Sequence, residues 1–122
     1  MLRNFLLVGL GGAAGSMLRF AAGLLIGSKN FPWSTLLINI IGSLIIGIIM
    51  AYSARNEIFS ANWKLFLATG ICGGFTTFSA FSYENLQLIQ EGKLHLFVGY
   101  LLSSIIFGMA AVWIGYTIME RV

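Results

Sequence analysis

Charge is scarce in this sequence. Only 9% of its 122 residues are Asp, Glu, Lys or Arg, whereas 58% are hydrophobic. A soluble domain carries about 25% charged residues, so this chain cannot clothe a water-facing surface and reads as an integral membrane protein. Cysteine occurs once, at Cys72, which excludes an intrachain disulfide and leaves the redox compartment unreadable. The single histidine, His95, has no second His or Cys at ligand spacing, so a solvated or headgroup-level position outweighs a metal role. There is no carboxylate pair, no Cys/His couple and no phosphate loop, which excludes the common enzyme chemistries. The net charge of +3 is carried by basic residues standing singly at helix ends, which argues against a nucleic-acid surface.

What the chain has is long apolar runs. Four of them fill almost its whole length, predicting an all-α integral membrane protein with one four-helix transmembrane domain over residues 1–122. The spans are read as about 4–26, 33–55, 63–90 and 94–119. Arg3 ahead of an apolar run has the look of a signal peptide, but Arg19 interrupts that run and three more spans follow. The one proline, Pro32, stands before Trp33 and suits the opening turn of the second helix. Tryptophan there favours the membrane interface.

A few polar positions stand out in these runs. In the first span Gly11/Gly15 and Gly12/Ser16 are small residues four apart, the spacing that lets helix backbones approach closely. Arg19 follows them. An arginine inside a span costs several kcal/mol unless it snorkels or finds partners, so it reads as a snorkelling residue, an anion-attracting charge at a vestibule, or an anchor for nearby carbonyls. In the second span Thr35, Asn39, Ser43 and Gly47 form a stripe on one face. Asn39 is either interhelical glue or an amide donor for a permeating anion. In the fourth, Tyr100, Ser104 and Gly108 repeat the pattern, with packing and pore lining in balance.

The third span is different. Its segment Gly-Ile-Cys-Gly-Gly-Phe-Thr-Thr-Phe-Ser-Ala-Phe-Ser-Tyr-Glu, residues 70–84, sets two glycines before two threonines. Both residue types weaken a helix, which predicts a break over Gly73–Thr77. Unpaired backbone at membrane depth is tolerated only where protein buries it or it lines a watery path, and broken helices are where transporters place ion sites. Phe75, Phe78 and Phe81 recur every third residue among the hydroxyls of Thr77, Ser79 and Ser82, and Glu84 follows. Aromatic rings have a positive edge, so plain packing and an edge-on meeting with an anion are both open for Phe78 and Phe81. Glu84 reads as locally hydrogen-bonded, with a proton relay as the rival role.

Even-numbered spans put both termini on one side, with Arg3, Arg55, Lys64 and Arg121; the other side has Lys29, Lys93 and Arg19 if it snorkels there. Four against three is too small a bias to fix orientation. Insertion both ways round would permit an antiparallel, dual-topology homodimer with isologous contacts. Broken third helices crossing on its axis would bring carbonyls together, the ligand set of a hard cation such as Na⁺.

With these motifs assembled, the sequence resembles the Fluc (CrcB) family of fluoride channels along essentially its whole length. Residues 70–84 carry most of the resemblance, and Gly11–Phe20 and Asn39-Ile40-Ile41-Gly42 add to it. The resemblance implies an antiparallel homodimer in the plasma or inner membrane, with two fluoride pores and a structural Na⁺ on the two-fold axis. It implies that the backbone carbonyls of Gly73 and Thr76 bind that Na⁺. Asn39, Thr77, Phe78, Ser79, Phe81, Tyr100 and Ser104 would lie along the ion path, Arg19 in a vestibule and Glu84 near the pore. Ala80 departs from the family pattern, which usually has Thr there, and Gly108 thins the fourth-helix polar track. The implied activity is passive export of fluoride. The alternative is a small proton-coupled multidrug antiporter, also dual in topology, but that chemistry needs an acid early in the chain and the first span has none.

Overall fold

A computed structural model describes all of residues 1–122. The chain is helical throughout, and four of its helical segments are long and apolar enough to cross a membrane. The first is α1 (Leu2–Ile26), the second α2 (Trp33–Arg55). The third crossing, Ala61–Gln90, is composite. It comprises α3 (Ala61–Lys64), a π-helical stretch (Leu65–Cys72), α4 (Gly73–Phe75) and, after a break, α5 (Phe78–Gln90). The last is α6 (Leu94–Arg121). Large apolar side chains such as Leu25 (88% exposed) cover the outside, as expected where lipid is the solvent.

Helix ends are closed locally. Ser60 accepts from the Trp63 N–H and Thr77 from the Ala80 N–H, each a side-chain N-cap. At the end of α5, Gly92 takes φ 74 while its N–H bonds Ile89 and the Lys93 N–H bonds Leu88, a Schellman turn. That tight turn starts α6 straight after α5.

The helices associate as two pairs. α1 lies against the π-helical stretch and α4, while α2 lies along α6. Small residues make both contacts possible. Gly11 and Gly15 are buried, and a Cβ on Gly15 would collide with the Ile71 carbonyl. Across the other pair, Gly47 faces the Val112 carbonyl and Gly115 the Leu44 carbonyl just as closely. Where lipid removes any hydrophobic drive, such backbone-to-backbone packing is what holds helices together. Of the spacings expected in α1, Gly11/Gly15 makes the contact; Ser16 is exposed.

The third span is broken, as its sequence predicts, but two threonines make the break and the glycines do not. Gly73 retains helical angles (φ −63, ψ −37), whereas Thr76 (φ −80, ψ 157) and Thr77 (φ −150, ψ 119) are extended. β-branched residues fit extended backbone well. Gly74 is needed for contact instead, because a Cβ there would meet the Gly12 carbonyl. The π-helical stretch has no counterpart in the sequence reading. Its last bond runs from the Gly73 N–H to the Ala68 carbonyl, five residues back.

Candidate functional site

The break leaves backbone groups that the helix no longer pairs, and side chains from other spans take them up. Asn39 on α2 does most of this. Its Oδ1 accepts from the Thr77 N–H at 2.8 Å, and its Nδ2 donates to the Thr77 carbonyl at 3.1 Å. One amide thereby satisfies both halves of one peptide residue. Arg19 donates from Nε to the Gly74 carbonyl at 3.2 Å, and so acts as an anchor for a carbonyl. Its charge also sits at the negative C-terminal end of the first half of the span. Thr76 bonds back from both N–H and hydroxyl to the Cys72 carbonyl, at 3.0 and 2.8 Å. None of these bonds uses the carbonyls of Gly73 or Thr76.

Beside the break lies a cavity of about 440 Å³. Asn39, Thr77, Phe78, Phe81 and Ser104 line it together, with Ser43 and Cys72 among the other walls. The two polar stripes therefore face each other across one space. The Ser104 hydroxyl is buried and has no hydrogen-bond partner. Phe78 and Phe81 sit with ring centres 5.7 Å apart, and Phe78 is 78% exposed. Ser79 is exposed, its hydroxyl 3.3 Å from that of Thr77.

Behind this cavity stands a second layer. The Phe81 ring meets Tyr100 edge-on at 5.0 Å, and Phe31 packs on the other side of Tyr100 at 5.4 Å. Tyr100 is fully buried, and its hydroxyl donates to Glu84 Oε2 at 2.7 Å. Thr35 donates to Glu84 Oε1 at 2.6 Å. The carboxylate is thus held by hydroxyls from two other spans, the local hydrogen bonding expected of it.

The structure therefore brings five of the seven residues expected along the ion path to one cavity wall, and Thr76 with them. Tyr100 and Glu84 sit in the layer behind it, Ser79 lies outside, and Arg19 is on the α1 side of the break. Sequence reading missed the Thr35–Glu84 bond and the ring of Phe31, a loop residue. The four-residue stripe that starts at Thr35 was the available signal for the first; nothing local marks the second.

The family described as CrcB-like protein, Camphor Resistance (CrcB), matches residues 6–116. This chain belongs to the CrcB family. It is 47% identical to a protein of Azobacteroides pseudotrichonymphae over 98% of each chain. It is 42% identical to one of Leptospira interrogans, over 91% of this chain and 93% of the other. Against one of Thermus thermophilus it is 42% identical over 94% of each. All three of those CrcB relatives bear the name fluoride-specific ion channel FluC.

Proposed function

We propose that this multi-pass membrane protein is a fluoride channel that exports the ion passively across the inner membrane and so relieves fluoride toxicity. The observation that carries this reading is the cavity where an amide, a free hydroxyl and two phenylalanine rings meet beside a broken helix. A small anion entering it must exchange water for donors. Ser104 offers an uncommitted O–H, and Asn39 retains one N–H after bonding Thr77. The start of α5 adds the positive end of a helix dipole at Thr77 and Phe78. The edges of Phe78 and Phe81 would complete the shell. Tyr100 would shape the path by its ring, since its hydroxyl is engaged with Glu84. A channel needs no enzymatic chemistry, in keeping with relatives named as channels.

The finer proposals concern assembly. Gly73 is exposed, with only the Ala68 carbonyl, at 3.9 Å, near the place of a side chain, and its carbonyl and that of Thr76 stay outside the bonds that close the break. The chain has no cluster of His, Cys, Asp or Glu suited to a metal, so carbonyl oxygens are the donors on offer. Such oxygens suit Na⁺, and two are too few to surround it. A second, antiparallel copy would double them. Gly73 and Thr76 are the residues that would hold the ion, which would supply a fixed positive charge joining two copies with two pores. Against the antiporter, Glu84 has both oxygens tied to hydroxyls, a poor state for trading protons with substrate.

The test is efflux from fluoride-loaded liposomes, read with a fluoride electrode. Efflux should require valinomycin, ignore a proton gradient and exclude chloride. Phe81→Ile keeps apolar bulk but removes the ring edge, and should lower the rate at least about 10-fold, which corresponds to about 1.4 kcal/mol of lost stabilisation along the path. Flux driven only by a proton gradient would overturn the channel reading.

A further inference from the structure

We propose that Lys29 is the anion-gathering charge at a second mouth of this path, an inference that rests on the fluoride-channel reading. A cavity of about 280 Å³ opens where the loop between α1 and α2 meets the turn between α5 and α6. Ser28, Lys29, Gln87, Glu91 and Lys93 line it, and so does Glu84. Glu84 lies seven residues before Glu91, the residue that caps the end of α5, and so about 10 Å deeper along the helix axis. The linings of this cavity and the larger one meet in one packed cluster, which includes Phe81, Tyr100, Phe31 and Leu88. Phe81 walls the larger cavity and packs on Tyr100, whose hydroxyl reaches Glu84. Glu84 in turn walls the smaller cavity.

The charges around this mouth do not weigh equally. Lys93 and Glu91 form an ion pair at 3.0 Å and largely cancel each other. Glu84, at the inner end, has both carboxyl oxygens bonded to the hydroxyls of Thr35 and Tyr100, so neither is left to hold Lys29. Lys29 is exposed and lies outside the ion pair, which makes it the one uncancelled cation at this mouth. A cation at the rim of a low-dielectric cleft raises the local anion concentration and the capture rate. The effect reaches across the mouth at low salt and is screened within about 3 Å at 1 M.

The experiment compares full-length wild type, Lys29→Glu and Lys29→Arg in fluoride-loaded liposomes at subsaturating fluoride. Background salt, of ions that do not permeate, is set at about 10 mM and then about 1 M. At low salt Lys29→Glu should pass fluoride roughly 10-fold more slowly, while Lys29→Arg keeps the wild-type rate. At high salt the three rates should converge. Equal rates at low salt would overturn the proposal, and so would a deficit that persists undiminished at high salt, because a merely structural role is not screened. A wild type that passes no fluoride would overturn the channel reading, and this inference with it; that failure is recognisable because it silences every variant.

Discussion

Asn39→Ala is expected to cut fluoride flux by at least about 100-fold and to destabilise the protein by about 2–6 kcal/mol, at roughly 1–3 kcal/mol for each of the two backbone groups left unpaired. The reason is the double role of one amide. It holds the N–H and the carbonyl of Thr77 together, and the break has no other side chain on that residue's backbone. Water is the usual fallback for an orphaned peptide, but at membrane depth it is scarce. Asn39→Asp separates the two halves. Aspartate keeps an oxygen for the Thr77 N–H but faces the Thr77 carbonyl with a second oxygen, and when ionised it places negative charge on the anion cavity. Its flux should therefore fall as far as that of alanine, with a smaller loss of stability. Thermal unfolding in detergent alongside liposome flux would check both. Wild-type flux in Asn39→Ala would remove the amide from any part in the site.

The second large effect is expected from a pair of neighbouring glycines. In Gly15→Ala the new methyl would meet the Ile71 carbonyl and lie 2.8 Å from the Phe75 nitrogen, all of it backbone that cannot rotate away. α1 must then withdraw from the third span, and overpacking of this sort costs about 1–3 kcal/mol or more. Gly12→Ala places its methyl where nothing lies within 4 Å. That substitution should be neutral, or stabilise α1 by up to about 1 kcal/mol through helix propensity. Unfolding midpoints of the two variants, measured side by side, should fall well apart. Equal midpoints would mean that α1 does not seat on the break through Gly15.

These cases also mark how far the sequence could be read. The spans were legible because apolar runs between polar punctuation leave little choice in a membrane, and Pro32 and Trp33 mark one start. The break was legible within residues 73–77, but which of those residues make it was not. Glycine and threonine both lower helix propensity, and only packing against Gly12 reveals that Gly74 serves contact rather than bending. The cavity wall was largely legible from two four-residue stripes and a phenylalanine repeat. The partners were not. Asn39 and Thr77 are 38 positions apart, and Thr35 and Glu84 are 49 apart, so tertiary packing alone joins them. Arg19 left several readings open until Gly74 was seen to accept its proton.

The π-helical stretch has a consequence for how this chain tolerates length changes. In an ordinary α-helix, deleting one residue swings every later side chain by about 100° around the axis. In α2 that swing would carry Thr35 and Asn39 out of register with each other and with their partners. Between Leu65 and Cys72 the turns already enclose a surplus residue. Removing one there tightens the winding locally and leaves Trp63 and the threonine break pointing as before. The third span thus contains its own slack, and it sits directly upstream of the one backbone segment whose orientation matters most.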